Sequence, residues 1–246
     1  MVKTGWQKLG PDPAILAWAG AARDAALAVM QTSTEVWRAG GTWFVGVDAL
    51  PNAADGSIAG MAFPWAALPL APVPLHPAQL SVIRPGYPQP SAEETPAAFA
   101  YRRDRDAAHL DGVLPVGAQK QRMVKEPHAW ILGLPLNDTP ASPLTVWEGS
   151  HVLMRAALLQ ALQAHAPESW GDVDLTAAYQ AARRAVFATC PRREVPVRPG
   201  EATLLHRLTL HGVAAWRPGD RAPPEGRMIA YFRPELPRVA EWLTTP

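Results

Sequence analysis

Arg105-Asp106-Ala107-Ala108-His109-Leu110-Asp111-Gly112 and, much later, Pro199-Gly200-Glu201-Ala202-Thr203-Leu204-Leu205-His206-Arg207-Leu208-Thr209-Leu210-His211-Gly212 are the two stretches that decide how this chain folds. Side chains two positions apart on a strand project to the same face, so His109 and Asp111 can aim at one point. A third ligand from the later stretch would complete a 2-His-1-carboxylate triad, which occupies one face of an octahedral Fe(II) and leaves the other positions open for chemistry. The later stretch offers two histidines, His206 and His211. Their odd separation places them on opposite faces of a straight strand, so only one can share the site.

Working outward, the pattern around both stretches is that of short strands. Thr42–Val47 and Gln79–Ile83 are rich in β-branched or apolar residues, and His128–Leu136 reads as a core strand. Asn137-Asp138-Thr139-Pro140 turns the chain into a further strand at Leu144–Trp147. Strands resume at Glu194–Val197, Ala202–Leu205, Thr209–Trp216 and Arg227–Arg233. Apolar residues at three- and four-residue spacing predict helices over about 14–30, 151–165 and 175–187. Many short strands joined by Pro/Gly turns, with helices at the start and in one insertion, imply a mainly β sandwich or barrel with flanking helices.

The 246 residues suffice for one sizeable core, and a single domain over 1–246 is expected, with an N-terminal helix about 13–30 and a helical insertion about 151–190. A formal charge of +1 gives no global case for nucleic acid, and the basic run Tyr101–Arg105 reads as a solvated face. The start, Met1 to Lys8, lacks the apolar centre of a secretory leader, and no run is expected to reach membrane-span length. Cys190 is the only cysteine, so no intrachain disulfide can form and a reducing cytoplasm fits best. At the end of a helix, without a visible base, it reads as a structural or exposed thiol. From Pro51 to Pro96, repeated prolines with interleaved Phe63, Trp65 and Tyr87 predict a rim or lid over the substrate pocket.

From about Leu80 to Pro234 the chain resembles the phytanoyl-CoA dioxygenase family of Fe(II)- and 2-oxoglutarate-dependent oxygenases. The resemblance rests on His109-Leu110-Asp111-Gly112, then Trp147-Glu148-Gly149-Ser150-His151, where Glu148 stands in place of the family's usual proline. It continues through Arg198-Pro199-Gly200-Glu201, Leu210-His211-Gly212 and the final Gly226-Arg227-Met228-Ile229-Ala230-Tyr231-Phe232. It implies a double-stranded β-helix (jelly roll, cupin-like), with His109, Asp111 and His211 as metal ligands and Arg227 as the residue that binds the distal carboxylate of 2-oxoglutarate. His211 is preferred to His206 on its following glycine. Arg227 is preferred to Arg217 and Arg221, which lie among prolines and glycines where no rigid strand would hold a carboxylate fork.

Fe(II), 2-oxoglutarate and O2 are the implied cofactors, and hydroxylation of a small molecule is the implied reaction, with no nucleic acid or membrane partner. Asp111 stands where halide-using relatives carry a small residue, which points away from halogenation. Two other readings remain: an inactive jelly-roll binding module, and a cupin-type metalloenzyme without 2-oxoglutarate, for which Arg227 has no evident use. His128 and His151 are expected near the pocket as structural histidines or ligand contacts; His76 and His165 carry no signal. Trp43, Trp65 and Trp130 are candidates to line a substrate cavity.

Overall fold

The computed structural model describes residues 3–245, so Met1, Val2 and Pro246 lie outside the described residues. In chain order the elements are β1 (Trp6–Leu9), α1 (Pro13–Thr32), α2 (Arg38–Gly41), β2 (Trp43–Gly46), β3 (Gln79–Ile83), α3 (Pro96–Asp104), β4 (Val113–Val116), β5 (Gln121–Val124) and β6 (Trp130–Pro135). There follow β7 (Leu144–Trp147), α4 (Ser150–Leu162), α5 (Thr176–Thr189), β8 (Arg192–Val195), β9 (Ala202–His206), β10 (His211–Val213), β11 (Arg227–Phe232) and α6 (Val239–Thr244).

The larger sheet is antiparallel with the order β1-β9-β6-β11-β3-β2, and the smaller has the order β10-β7-β8. An isolated bridge from His109 to His211 adds a further rung to the edge of the smaller sheet. From β3 onward the chain crosses repeatedly between the sheets: β3 in the larger, His109 in the smaller, β6 in the larger, β7 and β8 in the smaller, β9 in the larger, β10 in the smaller, β11 in the larger. That alternation is the winding of a jelly roll, or double-stranded β-helix. Ile131 and Leu205 of the larger sheet meet Leu144, Val146 and Val195 of the smaller in a buried interior layer.

The back of the larger sheet is closed by α1. Asp12 caps this helix by accepting from the amides of Ala14 and Ile15, and Pro13 at the first turn has the fixed φ a helix start requires. Ile15, Trp18, Ala19, Ala22 and Ala26 form its buried stripe, packed with Met228, Ala230 and Phe232 of β11. By length and composition α1 would suffice to cross a membrane, which corrects the expectation that no run reaches that length; in this fold its apolar stripe is spent on the sheet.

Phe63 and Trp65 of the proline-rich segment do not form the expected lid, whereas Tyr87 packs edge-on against Trp43 at 6.2 Å. Ile58, Phe63, Leu68 and Leu75 belong to the core shared with α1, and Phe63 meets Trp18 and Phe232 edge-on at 5.4 and 5.0 Å. On β11, Phe232 points away from the face that carries Ile229 and Tyr231, so these anchors seal the side of the sheet opposite the site. An apolar anchor satisfies either face of a sheet equally well, and only register decides between them. Other differences are local. His109 and Asp111 sit on an isolated bridge and the following turn, and β10 ends at Val213. The basic run lies on α3, where Arg102 pairs with Glu94 at 2.7 Å and Arg103 with its neighbour Asp104 at 2.6 Å.

Candidate metal centre and its cavity

His109 and His211 are tied face to face by reciprocal backbone bonds, His109 N–H to the His211 carbonyl at 2.8 Å and His211 N–H to the His109 carbonyl at 3.1 Å. Two glycines permit the close approaches. A Cβ at Gly212 would stand 2.1 Å from the Asp106 carbonyl, and one at Gly112 would stand 2.1 Å from the Glu126 carbonyl; Gly112 also takes a left-handed φ of +82°. The glycines that follow Asp111 and His211 are therefore a steric requirement of the two segments that carry the site.

Each imidazole is fixed by a carbonyl two residues behind it. His109 Nδ1–H donates to the Ala107 carbonyl at 3.0 Å and His211 Nδ1–H to the Thr209 carbonyl at 2.9 Å, which turns both Nε2 atoms inward toward Asp111. Asp111 completes the group, with Oδ1 3.2 Å from His109 Nε2 and Oδ2 3.8 Å from His211 Nε2. One ligand atom from each of the three lies within 4.8 Å of the others. Burial opposes ionisation of Asp111, but the hydrogen bond from His109 and the fields of His211 and Arg233 outweigh it and hold the carboxyl well below its usual range. Burial pushes His211 down to about 4, so its ring is neutral near pH 7. Burial also opposes the charge on His109, but contact with Asp111 outweighs it and the pKa is raised. Two neutral imidazoles and a carboxylate are the donor set of a divalent transition metal, and the three side chains can present it once the proton between His109 and Asp111 is displaced.

The group opens into a cavity of about 300 Å³ walled by Trp43, Val45, Ser81, Ile131, Leu144 and Tyr231, with Arg38, Glu126 and Arg233 as its other charged residues. Arg233 was not singled out by its sequence. Its Nη1 lies 3.3 Å from Asp111 Oδ2 and its Nη2 donates to Gln79 Oε1 at 2.5 Å. The available signal was parity: Arg227, Ile229, Tyr231 and Arg233 alternate onto one face of the last strand and its extension.

Arg227 is 4% exposed and opposite Ile83 on β3, on the sheet face that walls the cavity, without itself lining it. Its Nη1 is buried without a hydrogen-bond partner among the described residues. Arg217 pairs with Glu194, and neither it nor Arg221 lines the cavity. His206 is outside the triad; its ring packs on His151 at 4.9 Å, and burial, with Arg207, His151 and Arg155 nearby, pushes it down to about 3. Of the three tryptophans considered, only Trp43 lines the cavity, whereas Trp65 packs tilted against Phe63 at 4.7 Å behind the sheet. The Cys190 thiol is pushed up by burial, the opposite of an activated nucleophile.

A second cavity, about 350 Å³, adjoins the first through the shared residues Val47, Glu126 and Arg233, and is lined further by Asp48, His76, His128 and Glu235. His128 is thus close to the site, as expected; His151 is not among the lining residues of either cavity.

No family model and no curated protein matches the chain. Solved structures similar to it include the non-heme alpha ketoglutarate dependent carbocyclase SnoK from nogalamycin biosynthesis, at 16% identity over 97% of this chain and 85% of that one, with a TM-score of 0.49. The epimerase SnoN, in complex with Fe3+, alpha ketoglutarate and nogalamycin RO, is similar at 19% identity over 94% of this chain and 78% of that one, TM-score 0.49. EctD from S. alaskensis, with 2-oxoglutarate and 5-hydroxyectoine, is similar at 18% identity over 94% and 72% of the two chains, TM-score 0.46. All three are either dependent on 2-oxoglutarate or solved with it.

Proposed function

We propose that the chain is an Fe(II)- and 2-oxoglutarate-dependent oxygenase of the phytanoyl-CoA dioxygenase type that hydroxylates a small or medium-sized organic substrate. The observation that supports it is the convergence of His109 Nε2, His211 Nε2 and the Asp111 carboxylate at one end of an otherwise largely apolar cavity. Iron bound there, with 2-oxoglutarate and dioxygen, supplies oxidation of an unactivated carbon–hydrogen bond coupled to conversion of 2-oxoglutarate to succinate and carbon dioxide.

The chain's own residues have distinct tasks in this reading. The Ala107 and Thr209 carbonyls hold the two imidazoles in the tautomer that presents Nε2. Arg233 draws on Asp111 Oδ2, the oxygen nearer His211, which leaves Oδ1, facing His109, as the freer of the two. Arg227 would take the distal carboxylate of 2-oxoglutarate, which would satisfy a buried guanidinium nitrogen that otherwise has no acceptor. Trp43, Ile131, Leu144 and Tyr231 exclude water around the reacting carbon.

Protein reconstituted with Fe(II) and screened against a panel of metabolites should release succinate above its basal rate with some members of the panel. His211→Ala should abolish that release. No 2-oxoglutarate turnover under any condition, with iron bound, would overturn the assignment in favour of a binding module.

A further inference from the structure

Arg233 ties down two histidines by opposite ends of its backbone. Its amide donates to His76 Nε2 at 3.1 Å, and its carbonyl accepts from His128 Nδ1 at 3.0 Å. The two rings end in different states. His76 uses both nitrogens, since its Nδ1–H also faces the Pro77 carbonyl at 2.6 Å and Asp48 Oδ1 at 3.0 Å. His128 uses one. With its proton committed at Nδ1, its Nε2 is a lone pair, buried without a hydrogen-bond partner among the described residues, in a side chain only 5% exposed.

What stands opposite that lone pair is another acceptor, Glu126 Oε2, at 3.4 Å. Burial is the largest influence on His128 and, with the Arg233 charge, lowers its basicity against the opposing fields of Asp111 and Glu126. Two acceptors at this distance require a donor between or across them. The Glu126 backbone is pinned in place: its amide donates to the Gly112 carbonyl at 3.3 Å, next to the ligand Asp111.

We infer that Glu126 and His128 form the substrate-recognition subsite, and that the substrate presents to them a protonated amine. This deepens the proposed oxygenase function by naming a substrate class, and it rests on that reading for the word substrate. Charge decides between an amine and a carboxylate. The cationic side chain at this junction, Arg233, has its charge balanced by Asp111 beside Nη1 and its Nη2 on Gln79, with only Nε unpartnered, whereas Glu126 has no lysine or arginine at ion-pair distance among the described residues, and Asp48 and Glu235 add negative charge to the second cavity. Glu126 lines both cavities, so an amine held there places the rest of a molecule in the apolar cavity beside His109 and His211. Among the described residues only His109, Asp111 and His211 bring three ligand atoms close enough for a metal ion, and a hydrogen-bonding cation suits the Glu126 carboxylate and a neutral His128 imidazole together.

The test uses three probes of one shape, phenethylammonium, 2-phenylethanol and 3-phenylpropanoate, titrated by calorimetry or NMR into the full-length chain without added metal. The ammonium should bind on the order of tenfold tighter than the alcohol, the carboxylate more weakly still, and Glu126→Gln should remove the preference for the ammonium. Glu126 is partly exposed, so this variant is expected to fold. Equal affinity for the three probes, tightest binding of the carboxylate, or an unchanged preference in Glu126→Gln would each overturn the inference. Because the titration needs no iron, its failure leaves the metal site standing, and failure of metal binding leaves the titration interpretable.

Discussion

The two faces of the larger sheet are made by the same strands and differ in almost everything else. On β11, Met228, Ala230 and Phe232 enter a core filled by α1 and the proline-rich segment, while Ile229, Tyr231 and the flanking Arg227 and Arg233 turn toward the smaller sheet. The back face is an apolar core built for packing. The inner face holds a buried guanidinium nitrogen without a partner, a carboxylate between two histidines, and open volume. Unsatisfied polar groups and unfilled space cost stability, and here both lie where the His109, Asp111 and His211 side chains converge.

The comparison would break first at Phe232, which is fully buried between Trp18 and Phe63. Phe232→Ala should cost ~3–5 kcal/mol in denaturant unfolding, the range for emptying an aromatic core position. A loss under about 1 kcal/mol would mean that α1 and the proline-rich segment do not close that face. Arg227→Ala is the matching change on the inner face. It should weaken 2-oxoglutarate binding by ~2–5 kcal/mol, the range for losing one partner of a buried charged pair, with little loss of stability because the guanidinium has an unpartnered nitrogen in the ligand-free protein. Unchanged cosubstrate affinity would move the clamp to Arg233, the arginine that already lines the cavity beside Asp111.

A smaller effect sharpens the contrast through His206, which shares the parity of the back-facing Leu204 on β9. Its folded pKa is pushed down to about 3 from an unfolded value near 6.5, so its contribution to stability is complete above 6.5 and lost progressively as the pH falls toward 3. Discounted for partial exposure, the loss by pH 4 should be ~1–2 kcal/mol. His206→Gln should flatten that part of the stability profile measured by urea unfolding at pH 7 and pH 4. An unaltered acid dependence in the variant would assign the loss to other groups.

Much of this was legible in the chain. Gln79–Ile83 forms the strand its composition implies, and the three helices appear within a few residues of their apolar periodicity. His109, Asp111 and His211 come together although the first two do not lie on a regular strand; the bridge to His211 supplies the geometry that strand alternation was expected to supply. Less legible was anything decided by which face a residue meets. Phe63 and Trp65 suit a lid or a core, and pairing with Trp18 and Phe232 settled it. The hairpin β4–β5 and strand β1 are four residues each, too short for a period to show. His128 looked like any buried histidine until the Arg233 carbonyl fixed its tautomer and left Nε2 facing Glu126.

The central claim is that the inner face holds one divalent metal on His109, Asp111 and His211, and equilibrium dialysis with Fe(II) under anaerobic conditions tests it most directly. Wild type should bind about one equivalent, 2-oxoglutarate should bind only when metal is present, and Asp111→Ala should bring the stoichiometry close to zero while the chain remains folded. Stoichiometry near zero in wild type, or one equivalent retained in Asp111→Ala, would contradict it.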